Sequence, residues 1–141
     1  MTIAAILEGR TVKVIAAARG DTVRAAVDLL AEHRIGAVPV LDGDTVVGIF
    51  SERDLVRLLA AYGPESLDRS IDEVMTRSPV TCDSRTNVLG ALSLMTQRRI
   101  RHLPIVDDGK IAGFVSIGDL VKYRIDRIEA EAAAMRDYIA G

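Results

Sequence analysis

The chain has 141 residues, 49% of them apolar and 27% charged, and a formal net charge of −2. That composition suits one folded unit, or two half-size units sharing a core, and gives no general bias toward nucleic acid or an anionic membrane. The single cysteine, Cys82, excludes an intramolecular disulfide and a cysteine metal cluster, while the opening MTIAAILEGRTVKV does not read as a signal peptide and no apolar run suits a membrane helix, so a cytoplasmic protein is expected.

The first element is a short extended piece, KVIA at 13–16. Thr22 then precedes an apolar stripe at Val23, Ala26, Val27 and Leu30, which predicts a capped helix. AVPVL at 37–41 reads as a strand in which Pro39 removes one ladder donor, so an edge or a bulge is expected. A DGD turn leads to VVGIF at 46–50, antiparallel to its neighbour, and a second helix starts at Ser51. Gly63-Pro64 breaks the chain. SIDEVMT at 70–76 predicts a short helical turn capped by Ser70, closing on the body through Ile71, Val74 and Met75.

The order then repeats. PVTC at 79–82 is extended, Thr86 or Asn87 starts a helix striped by Val88, Ala91, Leu92 and Met95, and HLPIV carries Pro104. DDG turns the chain into IAGFV at 111–115, and a helix starts at Ser116. It continues past Lys122 with Val121, Ile125, Ile128, Ala132, Met135 and Ile139 in a heptad-like stripe. That stripe must pack on its own module or across a dimer, and the dimer is favoured.

From Val23 to Lys122 the two halves align without a gap at an offset of 65 residues, taking Gly48 to Gly113, Ser51 to Ser116 and Asp54 to Asp119. Two copies do not make a solenoid. At about 50 residues each is marginal alone, so an α/β unit packed on its twin is expected.

The repeated serine and aspartate have two readings. Ser51 with Asp54, and Ser116 with Asp119, stand at N-cap and N3 and resemble capping boxes. The same positions also offer a helix N-terminus and a hydroxyl to a phosphate, and a carboxylate to a ribose diol. Two such sites related by the repeat would line a cleft and fit nucleotide binding. His102 is either a packed side chain or a cleft-lining one, and metal ligation finds no support in the spacing. Arg98, Arg99 and Arg101 form a local positive patch that either favours a helix C-terminus or meets a nucleotide phosphate across the cleft, without the wider basic field or interleaved aromatics of a nucleic-acid binder. Cys82 reads as a small buried hydrophobe. No catalytic set is legible, so no enzyme activity and no catalytic cofactor are expected.

The phrases GIFSERDL at 48–55 and GFVSIGDL at 113–120, with HRIGAVPVLDGDTVVGIFSERDLVR at 33–57 and RRIRHLPIVDDGKIAGFVSIGDLVK at 98–122, resemble a tandem pair of cystathionine-beta-synthase (CBS) domains, a Bateman module. The resemblance implies an α/β fold (α+β in some schemes) of two pseudo-symmetric CBS repeats forming one compact module. On that basis residues 1–62 hold the first repeat with an N-terminal segment and 63–76 a connector, while 77–124 hold the second repeat and 125–141 a helical extension. It also implies regulatory binding of an adenine nucleotide (AMP, ADP, ATP or NAD(H)) between the repeats. Other members of the family bind S-adenosylmethionine or magnesium. By resemblance, Ser51 and Ser116 approach phosphate or ribose, Asp54 and Asp119 hold ribose hydroxyls, and Arg53 faces phosphate where the second copy has Gly118. Val14, Ile15, Ala37, Val38 and Pro39 would enclose one adenine; Val80, Thr81, His102, Leu103 and Pro104 would enclose the other. The expected protein is a stand-alone nucleotide sensor, a homodimer acting on an unidentified regulated protein. The rival is a structural interaction module whose serine-aspartate pairs only cap helices.

Overall fold

Two β-hairpins of matched design organise the chain. The computed structural model describes residues 1–10 and 14–140, so Lys13, which opens the expected extended piece, lies outside the described residues. In the first half, β1 (Ala17–Ala18), α2 (Val23–His33), β2 (Ala37–Asp42), β3 (Thr45–Ser51) and α3 (Glu52–Tyr62) follow in order, with α1 (Ile3–Glu8) before them. A short 3₁₀ turn (Pro64–Asp68), α4 (Ile71–Val74) and β4 (Thr76–Arg77) lead to α5 (Val88–Arg98), β5 (His102–Asp107), β6 (Lys110–Ser116) and the long α6 (Ile117–Ala140). Among the described residues no helix is long and apolar enough to cross a membrane.

The helices begin where their caps predict. Thr22 Oγ1 accepts the Ala25 N–H at 3.2 Å, and Asn87 Oδ1 accepts the Leu89 N–H at 2.8 Å. Each helix ends on a left-handed arginine, Arg34 and Arg99, both at φ 54°. The hairpin turns use positive φ at Gly43 in the first half, and at both Asp108 and Gly109 in the second.

Register explains the prolines. β2 runs antiparallel to β3 and parallel to β1, and the β1 pairing begins at Val40, one residue after Pro39. The ring therefore sits where the strand has no second neighbour, and a bulge follows at Val40/Leu41. β5 repeats the arrangement: Cys82 bridges Ile105 in parallel, and a bulge follows at Ile105/Val106.

The two halves bury separate cores. One is built on Val23, Ala26, Val38, Val40, Phe50 and Ile71, the other on Ile3, Val88, Ala91, Met95, Leu103, Ile105, Val115 and Leu120. Full burial of each large aliphatic is worth about 1.5–3 kcal/mol. The segments before the repeats cross over. Ile71 of α4, with Val74 and Met75, closes the first core, as the sequence implied, whereas Ile3 of α1, with Ile6 and Leu7, closes the second. The N-terminal segment, contiguous in sequence with the first repeat, thus packs with the second. The crossing is symmetric in detail. Thr22 bridges Ser70 and Asn87 bridges Thr2; the Ile71 N–H donates to Asp21 O at 2.7 Å and the Ile3 N–H to Thr86 O at 2.9 Å.

The predicted stripe on α6 stays uncovered by its own chain. Ile125 and Ile128 are about half exposed, Met135 is 61% exposed and Ile139 76%.

Candidate functional site

Ser51 and Ser116 each end a strand and cap the next helix. The residue after each serine ties the helix to the loop ahead of the opposing strand: the Glu52 N–H donates to Gly36 O at 3.0 Å and the Ile117 N–H to Arg101 O at 2.8 Å. Both capping boxes are complete. Ser51 N donates to Asp54 Oδ2 at 2.8 Å while Asp54 N donates to Ser51 Oγ at 3.3 Å; the second pair makes the same bonds at 2.8 and 3.1 Å. The capping reading of the sequence therefore describes real bonds in both copies.

The second pair also lines a cleft of about 1010 Å³, at the upper end of the range for small-molecule sites. Val14, Ile15, Gly36 and Ala37 face it from the first half; His102, Phe114, Ser116 and Asp119 face it from the second. Six expected site residues thus meet there: Val14, Ile15, Ala37, His102, Ser116 and Asp119. His102 stacks on Phe114 with ring centroids 5.6 Å apart and planes 8° from parallel. The histidine is both packed and cleft-lining, so its two readings coincide.

Other expected residues lie elsewhere. Val38 and Leu103 are fully buried in the two cores, and Pro39 and Pro104 are buried within β2 and β5. Ser51 and Asp54 are half-buried and Arg53 is exposed, and none of the three lines this cleft. Val80 packs against the second core, Thr81 is exposed, and Gly118 sits in the first turn of α6. A second cavity of about 330 Å³, bordered by Arg19, Val46, Asp72 and Arg77, holds none of the expected site residues. Cys82 packs half-buried on the second core, where burial pushes its thiol pKa up.

The cleft carries charge at Arg10, Arg34 and Glu52 that the sequence reading missed. Arg10, Arg34 and Arg101 line it opposite Glu52 and Asp119. Arg10 Nη2 lies 2.9 Å from Asp119 Oδ2, and Arg10 Nη1 donates to Phe114 O at 2.7 Å. Burial alone would raise the Asp119 pKa, but the Ser116 N–H and the Arg10 guanidinium outweigh it and hold the carboxyl below its usual range. Burial lowers the His102 pKa, with the nearby Asp119 charge partly opposing, so the imidazole is neutral near pH 7. Among the described residues no group of three His, Cys, Asp or Glu side chains could hold a metal ion. Chemically, the cleft offers an aromatic and aliphatic wall to a flat base, a carboxylate to a diol, and guanidinium groups to an anion.

Comparison with known proteins agrees with this architecture. The chain is 35% identical over 126 residues to the mitochondrial CBS domain-containing protein CBSX3 of Arabidopsis thaliana, covering 86% of this chain and 61% of that protein. The crystal structure of the CBS-domain containing protein ATU1752 from Agrobacterium tumefaciens superposes with a TM-score of 0.82 at 36% identity, covering 88% of this chain and 99% of that one. CBSX2, crystallised in complex with AMP, superposes with a TM-score of 0.78 at 26% identity, covering 89% and 97%. The CBS domain pair of MJ0100, in complex with 5′-methylthioadenosine and S-adenosyl-L-methionine, gives a TM-score of 0.78 at 25% identity, covering 90% and 98%. The sequence model of the CBS domain matches residues 10–61 and 71–126, one segment for each copy of the repeat, and the chain belongs to the CBS domain family.

Proposed function

We propose that this protein is a regulatory module that binds an adenine nucleotide in the Ser116–Asp119 cleft and signals its occupancy to a protein partner. The observation that carries the reading is the convergence on one cleft of Val14, Ile15 and Ala37 from one repeat with His102, Ser116 and Asp119 from the other. In this reading the base lies among Val14, Ile15, Ala37 and His102, the ribose diol donates to Asp119, and the phosphate meets the helix N-terminus at Ser116. The adenine-containing ligands of CBSX2 and MJ0100 support the ligand class. AMP, ADP, ATP and NAD(H) are the candidates, and the module binds rather than catalyses. The Ser51–Asp54 pair with Arg53 would serve a second, weaker site. A homodimer through the exposed α6 face completes the proposal.

One observation favours a second reading, a structural interaction module: both serine-aspartate pairs are complete capping boxes, so helix capping by itself accounts for them. Isothermal titration of the chain with AMP, ADP, ATP, NADH and S-adenosylmethionine separates the two. Saturable binding of at least one, at about one site per chain, is expected; heats indistinguishable from dilution for all five would leave the structural reading in place.

A further inference from the structure

The two serine-aspartate motifs differ at the position just before the aspartate, Arg53 in the first and Gly118 in the second. Space is left at Gly118, where a Cβ would meet only Ser116 Oγ, at 3.6 Å. The second motif therefore lacks its own cation, yet of the three arginines lining the cleft beside it, Arg10 reaches the motif's aspartate. Arg10 arrives there from the segment following α1, because α1 crosses to pack on the second core. Its guanidinium bridges Phe114 O on β6 and Asp119 Oδ2 in the first turn of α6. At the offset that pairs Leu7 over Gly113 with Met75 over Gly48, Ser78 is the sequence counterpart of Arg10, although the chain there follows the strand β4 rather than the end of a helix. Among the described residues an arginine pairs with Asp119, at Arg10, and none pairs with Asp54.

Resting on the nucleotide reading above, we infer that Arg10 is the phosphate-selecting residue of this cleft. A diol that reaches Asp119 takes over the carboxylate oxygen that Arg10 holds, and the released guanidinium turns to the nucleotide phosphate. The exchange trades one charge-assisted contact for another, so a phosphorylated ligand compensates for the lost ion pair and a neutral nucleoside does not. The cleft then prefers AMP to adenosine. Occupancy also changes a contact of the segment leading from α1, which carries the signal away from the cleft.

The test is calorimetric titration of wild type, Arg10→Met and Arg10→Lys with AMP and with adenosine, each variant checked by circular dichroism. Arg10→Met is expected to weaken AMP by roughly ten-fold or more and to leave adenosine unchanged or tighter. Arg10→Lys, which keeps the charge but not the two-point grip, is expected to weaken AMP by about two- to five-fold with adenosine unaffected, and this arm decides the matter should the methionine variant not fold. Unchanged AMP affinity, or equal losses for both ligands, overturns the role of Arg10 while leaving the nucleotide site standing. A wild-type chain that binds neither ligand overturns both, and so is distinguishable.

Discussion

Leu7 closes over Gly113: a Cβ added at that glycine would meet Leu7 Cδ2 at 2.5 Å. Met75 closes over Gly48 in the same way, with Sδ at 2.5 Å, but there the Thr76 carbonyl oxygen also stands at 2.9 Å. A leucine tip can rotate aside, whereas the Thr76 backbone is held by β4 pairing to β3. Gly48→Ala is therefore expected to cost about 2–3 kcal/mol and Gly113→Ala about 1–2 kcal/mol, measured by urea unfolding. The reverse ranking would contradict the packing described.

The crossed leading helices make a second prediction. Ile3 and Ile71 are both fully buried, each in the core of the half to which its helix crosses. Truncation to alanine should destabilise by about 2–5 kcal/mol in either case. Native-state hydrogen exchange gives the sharper readout. Ile3→Ala should speed exchange chiefly in α5, β5 and β6, and Ile71→Ala chiefly in α2, β2 and β3. If Ile3→Ala loosened the first half instead, the crossing would be wrong.

Much of this fold was legible in the sequence, for a physical reason. The offset of 65 residues holds through the caps, the hairpin turns, the prolines and the serine-aspartate motifs, all of which are local devices with local chemistry. The crossing was not legible, because α1 lies outside the gapless alignment. Thr2-Ile3-x-x-Ile6-Leu7 matches Ser70-Ile71-x-x-Val74-Met75 at an offset of 68, three residues longer than the body of the repeat. That pattern was the available signal. Arg10 was missed with it, since nothing local tells an arginine after α1 that it will meet Asp119. Val38 and Leu103 were expected near a ligand, but their strand alternation turns them into the cores while Ala37 and His102 face the cleft.

His102 links the cleft to pH. Its pKa in the folded chain is lowered from 6.5, chiefly by burial. The unfolded chain therefore takes up the proton first as pH falls, so the stability contributed by the neutral imidazole is complete above 6.5 and is lost between 6.5 and the lower folded value. Thermal melts from about pH 7.5 to about pH 5 should show a steeper loss for wild type than for His102→Gln. Identical pH profiles would contradict the assignment.

The exposed stripe on α6 predicts assembly. Ile125, Ile128, Met135 and Ile139 lie uncovered on one helix, and each large apolar side chain gains about 1.5–3 kcal/mol on full burial. Light scattering across a concentration series is expected to give a dimer for the full chain and a folded monomer after truncation at Arg124. A monomeric full chain would reject the dimer, and an unchanged truncated dimer would move the interface elsewhere.

The most direct measurement is amide chemical-shift mapping during titration of the full chain with AMP. The account predicts saturable shifts concentrated at Val14, Ile15, Gly36, Ala37, His102, Ser116 and Asp119, with the same peaks unmoved in Asp119→Ala at equal AMP. Saturable shifts confined to surfaces away from this cleft, or no shifts at millimolar AMP, would contradict it.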